Sequence, residues 1–418
     1  MKIAIFSDCY LDLTGGIIQV INSQKAELEK LGHTVYIFST GFQRSETELK
    51  KLATQNIFVV PSCRLFFKGL TPVSRRPKII EKWFLKEHPE IQDFDIFYIH
   101  YESGCSIAGL HLARKLKIPS VQMMHGREDM GVSTVIPLGF RTIVATFLSW
   151  FHSWYIPHKV KIPRDNYLAN TIAKAKMWTL MVNHANYADV AITPSSHFKK
   201  KLQKYGVSKP IKVVPNGYPD AKFLKTVPVK ELAPRETLRM IWHSRVQGEK
   251  RIMPFLEALT TINGKWQMDV YGGGTELDKA KRYAKRHKLP VKFHGDVKFG
   301  TVQKAILNAH LDILASYNYD TFGMTLIEAR SCGVPVFFCD PDMREIVPAG
   351  SYVMSKSESP TDMAAALNNL LAHPERIKQM SEAMLEHREE ILASHRTQTL
   401  LQILPNHEPP GKKTLLFP

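Results

Sequence analysis

Short apolar runs alternate with segments of helical spacing along nearly the whole chain. Residues 2–6, 35–38, 57–60, 94–100, 120–124, 188–193 and 211–215 have the length and β-branched content of buried strands. Between the first two, Ile17, Val20, Ile21, Ala26 and Leu28 recur at helical spacing, and Gly32 closes the helix. Further helices are predicted over 106–116, 170–188 and 195–205. The alternation pauses between 218 and 235, where polar residues surround Pro219, Pro228 and Pro234, and it then restarts. The second set of strands is 240–243, 267–271, 291–293, 311–315 and 334–338. Residues 374–394 read as one long polar helix, and 405–418 as a frayed tail.

Continuous apolar strands separated by helices imply parallel sheets covered on both faces, with right-handed crossovers. The fold class is therefore α/β, with two Rossmann-like domains facing a central cleft. The expected division is 1–218, 219–375, and 376–418 as a C-terminal helix and tail packing back on the first domain. No GxGxxG fingerprint follows a strand, which disfavours a nicotinamide or flavin cofactor.

Composition narrows this picture. At 418 residues with 44% hydrophobic and 23% charged residues, the chain can bury two cores and is not a disordered one. No signal-peptide pattern opens it, since Ser7 and Asp8 directly follow the first apolar run. The longest apolar stretch, 143–156, is interrupted by Ser149, His152 and Ser153 and is too short to span a bilayer. Cysteines 9, 63, 105, 332 and 339 are odd in number and show no CxxC pairing, which fits reduced thiols in a cytoplasmic setting. The formal net charge of +17 calls for an anionic partner: nucleic acid, an anionic membrane or an acidic substrate. Two stretches mix cations with aromatics. One, 64–86, carries Arg75, Arg76, Lys78 and Lys82; the other, 140–164, carries Trp150 and Trp154. The second reads equally as a core helix or as a membrane-facing one.

The chemistry concentrates around residues 320–336. Asp320 follows a strand, and Gly323, Met324 and Thr325 open a helix whose free N–H groups suit a phosphate. Glu328 sits one to two turns in, and Gly333 ends the helix before the next strand. Arg245 and Lys250 follow another strand and can converge on one diphosphate, one as a fork and one as a point charge. Gly272, Gly273 and Gly274 end the next strand and permit close backbone approach. Gly15 and Gly16 end the first loop, and His125 ends a strand of the first half. No Asp-x-Asp metal motif lies in a suitable loop, and no metal or cofactor is expected.

Taken in this order, with Pro215-Asn216-Gly217, these residues resemble glycosyltransferase family 4, the retaining GT-B enzymes, over roughly residues 2–371. Residues 3–10, 99–102 and 118–125 look most like the bacterial diacylglycerol glucosyl- and galactosyltransferases. The resemblance implies a UDP-hexose donor and roles for each position. Arg245 and Lys250 would hold the donor diphosphate, Glu328 the ribose hydroxyls, and Gly323, Met324 and Thr325 the phosphates through N–H groups. His125 would face the sugar, and Gly15 and Gly16 would approach the diphosphate from the other domain. Asp320 stands where the family usually has Glu in contact with the donor sugar, so here the acid is one methylene shorter.

The resemblance also implies a membrane glycerolipid acceptor and a cytoplasmic enzyme, peripheral on the inner face of the cell membrane. Arg75, Arg76, Lys78, Lys82, Trp150 and Trp154 would then meet an anionic surface. The rivals are a family 4 enzyme with a soluble or polymeric acceptor, and a basic nucleic-acid-binding protein. No nucleic-acid module signature is visible, so nucleic acid is not the expected partner.

Overall fold

The computed structural model describes residues 1–8, 16–41, 44–63, 73–219 and 226–404. In chain order the first domain runs β1 (Lys2–Ser7), α1 (Gly16–Lys30), β2 (Thr34–Ser39), α2 (Glu46–Ala53), β3 (Ile57–Val59), β4 (Ser62–Cys63), β5 (Val73–Ser74) and α3 (Pro77–Glu87). It continues with β6 (Ile96–His100), α4 (Gly104–Leu116), β7 (Ser120–Met123), α5 (Glu128–Val135), α6 (Arg141–Ser153), α7 (Ile172–Tyr187), β8 (Val190–Thr193), α8 (Ser196–Lys204) and β9 (Ile211–Val213). The second domain runs β10 (Leu238–His243), α9 (Ile252–Leu259), β11 (Trp266–Tyr271), α10 (Leu277–Arg286), β12 (Val291–Gly295), α11 (Phe299–Leu307) and β13 (Leu311–Leu314). It ends with α12 (Met324–Ser331), β14 (Val336–Phe338), β15 (Tyr352–Met354), α13 (Pro360–Ala372), α14 (Arg376–Glu386) and α15 (Ala393–Ile403).

Two parallel sheets result, ordered β3-β2-β1-β6-β7-β8-β9 and β12-β11-β10-β13-β14-β15. Both are Rossmann-like. In each, strand order reverses beside the first strand, between β1 and β6 and between β10 and β13, and loops there diverge to leave a crevice at the carboxyl edge. Register brings Ser7 opposite both Ser39 and His100, so the β1 and β6 ends open together. Ile3, Ile5, Val35, Ile37 and Tyr98 form one face of the first sheet's core, while Phe6, Phe38, Phe84 and Phe97 fill the other. Burial on both faces is why these strands read as unbroken apolar runs.

The C-terminal helix differs from its sequence reading. In place of one helix over 374–394 there are α14, a 3-10 turn at Arg388–Ile391, and α15. Leu392 is extended (φ −63°, ψ 143°) because its neighbours bond across to the first domain's last loop. Tyr218 N–H donates to Ile391 O at 2.7 Å, and Ala393 N–H to Tyr218 O at 2.8 Å. At that crossing a side chain on Gly217 would begin 2.6 Å from Ala393 Cα, so Gly217 is required by packing. The expected boundary at 376 also shifts. Ile377, Met380 and Met384 are buried in the second domain's cores, and among the described residues of this segment it is α15 that crosses, placing Leu400 and Leu404 among the first domain's apolar residues. Strand β15 and helix α3 carried too little periodicity to be read beforehand. The expected tail, 405–418, lies outside the described residues, as does part of the 218–235 linker.

The crossing helix is a structural strap. Leu400 is fully buried, so Leu400→Ala is expected to remove about 2–4 kcal/mol from the first domain. Urea unfolding followed by a first-domain probe should show an earlier midpoint; an unchanged midpoint would mean that α15 is not part of that core.

Candidate functional site

The second domain's crevice is built by three loops leaving β10, β11 and β13. After β13, the chain passes Ser316, Tyr319 and Asp320 and enters α12 through Gly323, whose left-handed φ of 64° turns the backbone into the helix. The amides of Met324 and Thr325 lie in the helix's first turn, where N–H groups lack intrahelical acceptors and the helix dipole is positive. After β10, Arg245 precedes a short 3-10 turn (Gly248–Lys250) whose last residue is Lys250. Tyr319 joins them. Arg245 Nη2 donates to the Tyr319 hydroxyl at 2.7 Å, and Lys250 Nζ sits 5.0 Å from the centre of the same ring. Lys250 also donates to Asp320 Oδ1 at 2.6 Å, while Ser316 donates to the other Asp320 oxygen. Lys250 is buried and held, whereas the Arg245 side chain is 55% exposed and reaches Glu249 Oε1 at 3.2 Å. Burial pushes the Tyr319 hydroxyl up to about 12, with Arg245 opposing, so Tyr319 remains protonated near neutral pH.

Behind α12 lies a buried triad that sequence reasoning missed. His243, at the end of β10, meets Asp312 Oδ2 through Nε2 at 2.9 Å and Glu328 Oε2 through Nδ1 at 3.1 Å. Burial alone disfavours the imidazolium, but the charges and hydrogen bonds of Asp312 and Glu328 outweigh it and push the pKa up to about 10. Asp312 is 1% exposed in the middle of a buried strand. An acid inside an otherwise apolar run was the available signal, because such a residue is seldom buried without a partner. His243 thus holds Glu328 by one oxygen, leaving Oε1 to meet a ligand.

The first domain closes over this crevice. Gly16 opens α1 against Met324: a Cβ there would lie 2.8 Å from Met324 Cγ. Thr321 is the central tie. Its hydroxyl donates to His125 O at 2.5 Å, and its carbonyl accepts from Ser195 Oγ at 2.5 Å. Arg127, clamped to Asp129 by two 2.7 Å bonds, donates to Asn318 O at 2.9 Å. Glu345 accepts from the backbone N–H groups of Ser196 and His197, and Lys201 pairs with Asp342 at 2.6 Å. His125 bonds His100, Nε2 to Nδ1, at 2.6 Å. Burial lowers His125 to about 3 and takes His100 well below its ordinary value, so both rings are neutral. A neutral His125 suits a hydroxyl and cannot act as a cation toward a phosphate.

The structure therefore gathers Arg245, Lys250, Asp320, Gly323, Met324, Thr325 and Glu328 in one crevice, with Gly16 and His125 on its facing wall. Gly15 lies outside the described residues. Gly272 and Gly273 have another reason to be glycine. Their Cβ positions would lie 2.4 Å from Ser244 O and from Asp296 Oδ2, and Val246 N–H donates to Gly273 O at 2.8 Å. These glycines pack the β11 loop against the β10 loop and so position Arg245. Among the described residues, no group of three or more His, Cys, Asp and Glu is placed to hold a metal ion.

Arg75, Arg76, Lys78 and Lys82 stand away from the crevice, on α3 and the turn before it, all exposed. The residues before 73 in that basic stretch lie outside the described set. Helix α6 is not a core helix. Ile143, Phe147, Trp150 and Trp154 recur at four, three and four residues and are 65%, 55%, 51% and 59% exposed, while Ala145, Ser149 and His152 face inward. The end of α6 adjoins α3, because His111 of α4 bonds both Glu81 at 2.9 Å and Tyr155 O at 2.8 Å.

Two sequence families match the chain: Glycosyltransferase Family 4 over residues 14–222, and Glycosyl transferases group 1 over residues 226–387. Among curated proteins, the chain is 25% identical to the alpha-monoglucosyldiacylglycerol synthase of Streptococcus pneumoniae, across 80% of this chain and 70% of that protein. It is 28% identical to a lipopolysaccharide 1,6-galactosyltransferase of Salmonella typhimurium, across 37% of this chain and 44% of that protein. Among solved structures, Anabaena HepE in complex with UDP superposes with a TM-score of 0.66 at 16% identity, across 97% of this chain and 99% of that one. The last is a likeness of fold.

The triad makes stability depend on pH with a definite sign. The His243 pKa of about 10 is raised from an ordinary 6.5, so its contribution is full below about pH 6.5 and is lost as pH rises through about 10. His243→Gln is expected to be less stable than the wild type at pH 7, with the difference shrinking toward pH 10. Urea midpoints of the second domain across that range measure it; a constant difference would rule out a buried imidazolium.

Proposed function

Since the chain belongs to glycosyltransferase family 4 and has its GT-B architecture, we propose that this enzyme moves a hexose from a UDP-sugar to a glycerolipid resident in a membrane, with retention at the anomeric carbon. The donor part of this reading rests on the crevice. Transfer breaks the bond between the anomeric carbon and the diphosphate, and the electron pair leaves with the diphosphate. The chief requirement is stabilisation of that departing charge. Arg245, Lys250 and the amides opening α12 supply positive potential on one side of a single pocket. Asp320 and Tyr319 hold Lys250 in place when no donor is bound, and the ion pair with Asp320 keeps its charge compensated. Glu328, oriented by His243, accepts hydroxyl protons of the ribose in hydrogen bonds. Neutral His125, on the facing wall, meets a sugar hydroxyl, and Gly16 lets α1 approach the diphosphate. The acceptor hydroxyl bonds to the anomeric carbon from the face the diphosphate leaves, and its proton passes to a diphosphate oxygen.

The single observation that carries the lipid acceptor is the exposed stripe of Ile143, Phe147, Trp150 and Trp154 on α6. Large aromatics at helical spacing that the described residues leave exposed suit the boundary between headgroups and acyl chains. The names of two relatives, a glucosyldiacylglycerol synthase and a lipopolysaccharide galactosyltransferase, point the same way. Among the described residues no helix is long and apolar enough to cross a membrane, so docking would be peripheral. The deciding experiment offers UDP-glucose and UDP-galactose with diacylglycerol, glucosyldiacylglycerol and soluble acceptors in parallel. Transfer only to soluble acceptors would replace the lipid reading.

Arg245→Ala and Lys250→Ala are each expected to lower kcat by about a hundredfold, on the order of 3 kcal/mol in the transition state. Steady-state transfer assays check this, and near-normal turnover in both variants would remove the assigned roles.

Changing Arg75, Arg76, Lys78 and Lys82 to Glu is expected to weaken binding to anionic vesicles at low salt, at roughly 1 kcal/mol for each charge, and to leave UDP binding intact. Co-sedimentation beside UDP titration measures both. Vesicle binding that ignores these four charges would locate the membrane contact elsewhere.

A further inference from the structure

Three acids stand on the facing wall of the crevice, near His125, and the chemistry above uses none of them. Asp8 follows β1, Glu102 follows β6, and Glu128 opens α5 after β7. They lie at the carboxyl edge of the first sheet, where strand order reverses between β1 and β6. Asp8 already has donors: the backbone N–H groups of Cys105 and Ser106 at 2.8 and 3.1 Å, and Ser106 Oγ at 2.6 Å, all at the start of α4. Glu102 differs. It is 7% exposed, and its Oε1 is closed off from solvent and meets no hydrogen-bond donor among the described residues. A buried carboxyl oxygen without a donor costs free energy that a bound hydroxyl recovers.

The backbone holds Glu102 in this place. Tyr101 has a left-handed φ of 76°, a strained conformation for a residue other than glycine. Gln122 Nε2 donates to Tyr101 O at 2.9 Å, and Gln122 Oε1 lies 3.1 Å from His184 Nε2. The Tyr101 ring comes within 5.9 Å of the His125 ring, and Glu102 comes close enough to Glu128 and Asp8 for their charges to act on it. Burial, then those two charges, push the Glu102 carboxyl well above the usual carboxylate range. Burial, then Asp129 and Asp8, push Glu128 up to about 7. Near neutral pH the pair therefore presents both an acid O–H and a carboxylate, which suits hydroxyl groups and repels an anion. The other charged or titratable groups around it are Arg127 and Asp129, closed on each other, and the neutral rings of His100 and His125. Lys174 of α7, with Arg141 of α6, acts on the Arg127–Asp129 pair. Across the crevice, α5 packs against the turn that carries Glu249 and Lys250, so the acids adjoin the cations given to the donor diphosphate.

We propose that Glu102 and Glu128 form a subsite for the reacting end of the acceptor, that this end is an uncharged polyol, a glycerol or hexose bearing the attacking hydroxyl, and that phosphorylated ends are turned away. This rests on the transferase reading above and holds for a lipid or a soluble acceptor alike. The two acids bind and orient, while the proton of the attacking hydroxyl still passes to a diphosphate oxygen.

The test follows transfer from UDP-glucose and UDP-galactose by the full chain to paired acceptors: diacylglycerol against phosphatidylglycerol, and methyl glucoside against glucose 6-phosphate. The neutral member of a pair is expected to show a kcat/KM about tenfold higher or more. Glu102→Gln and Glu128→Gln should each raise the acceptor KM about tenfold and leave the KM for the UDP-sugar unchanged. Glu128→Gln should also narrow the preference for the neutral acceptor. In the wild type, kcat/KM for the acceptor should rise as pH passes upward through about 7, because Glu128 accepts a hydroxyl's hydrogen bond best when ionised. Glu128→Gln should lose that step and Glu128→Asp should keep it. Replacing either acid relieves repulsion, so the Gln variants should melt at or above the wild-type temperature, whereas acids serving the fold alone would give lower values. Unchanged acceptor KM in both Gln variants, or equal use of the phosphorylated acceptors, overturns the proposal. Transfer to neutral soluble acceptors alone removes the lipid reading and leaves the subsite standing. Transfer to phosphatidylglycerol with diacylglycerol ignored keeps the lipid reading and overturns the subsite. Absence of transfer to every acceptor overturns both.

Discussion

The second domain is organised around one buried charge. His243, with Asp312 on one side and Glu328 on the other, ties the end of β10 to the middle of β13 and to α12. These elements form the walls of the crevice where strand order reverses. Removing His243 would leave two carboxylates facing each other without a cation away from water, at about 3–5 kcal/mol for a broken buried pair. The same contacts that hold the sheet to the helix also aim Glu328 and keep the helix start facing the crevice. Stability and function therefore share atoms here.

A second constraint joins the domains. Thr321 lies in the loop between β13 and α12, just before Phe322 and Gly323, and it bonds both His125 O and Ser195 Oγ. Arg127 reaches the neighbouring Asn318 carbonyl. The loop carrying Tyr319 and Asp320 is thus gripped from the facing domain, and it in turn holds Arg245 and Lys250. Polar contacts make this seam, some through backbone carbonyls and others through the Glu345 and Asp342 carboxylates, while apolar burial makes the cores on either side. Such a seam can hold two domains in register and still open by exchanging a few hydrogen bonds with water.

The outer face of the first domain follows a different logic. Helix α6 buries Ala145, Ser149 and His152 against its neighbours and turns Ile143, Phe147, Trp150 and Trp154 outward. The inner face includes a chain of histidines, His158 to His152 at 2.8 Å and His152 to His184 at 3.0 Å, in which neutral rings satisfy each other's polar atoms without a charge. Small and neutral groups inside, large aromatics outside, reverse the usual arrangement of a soluble surface helix.

Much of the fold was legible because buried parallel strands must be apolar on both faces, and residues such as Ile3, Ile5, Val35 and Ile37 have no polar alternation to confuse the period. Arg245 and Lys250 drew attention because they follow a strand end at the carboxyl edge of the sheet, where α/β crevices form, and Glu328 because it lies in a helix that opens at a glycine; the roles given to them came from the family resemblance. Other features depended on contacts between residues far apart in sequence. His243 could be recognised as charged only once Asp312 and Glu328 were seen beside it. Gly272 and Gly217 are glycine because Ser244 O and Ala393 Cα occupy the space where a side chain would begin. The break at Leu392 arises from a hydrogen-bonded crossing to Tyr218, which overrides the local helical preference. The direction in which α6 turns its aromatics is likewise tertiary, since the spacing of Phe147, Trp150 and Trp154 is the same for a core helix and for a surface one. Sequence periodicity determined which residues share a face; only the packing of α7 beneath it decided which face met the protein and which was left to the surroundings.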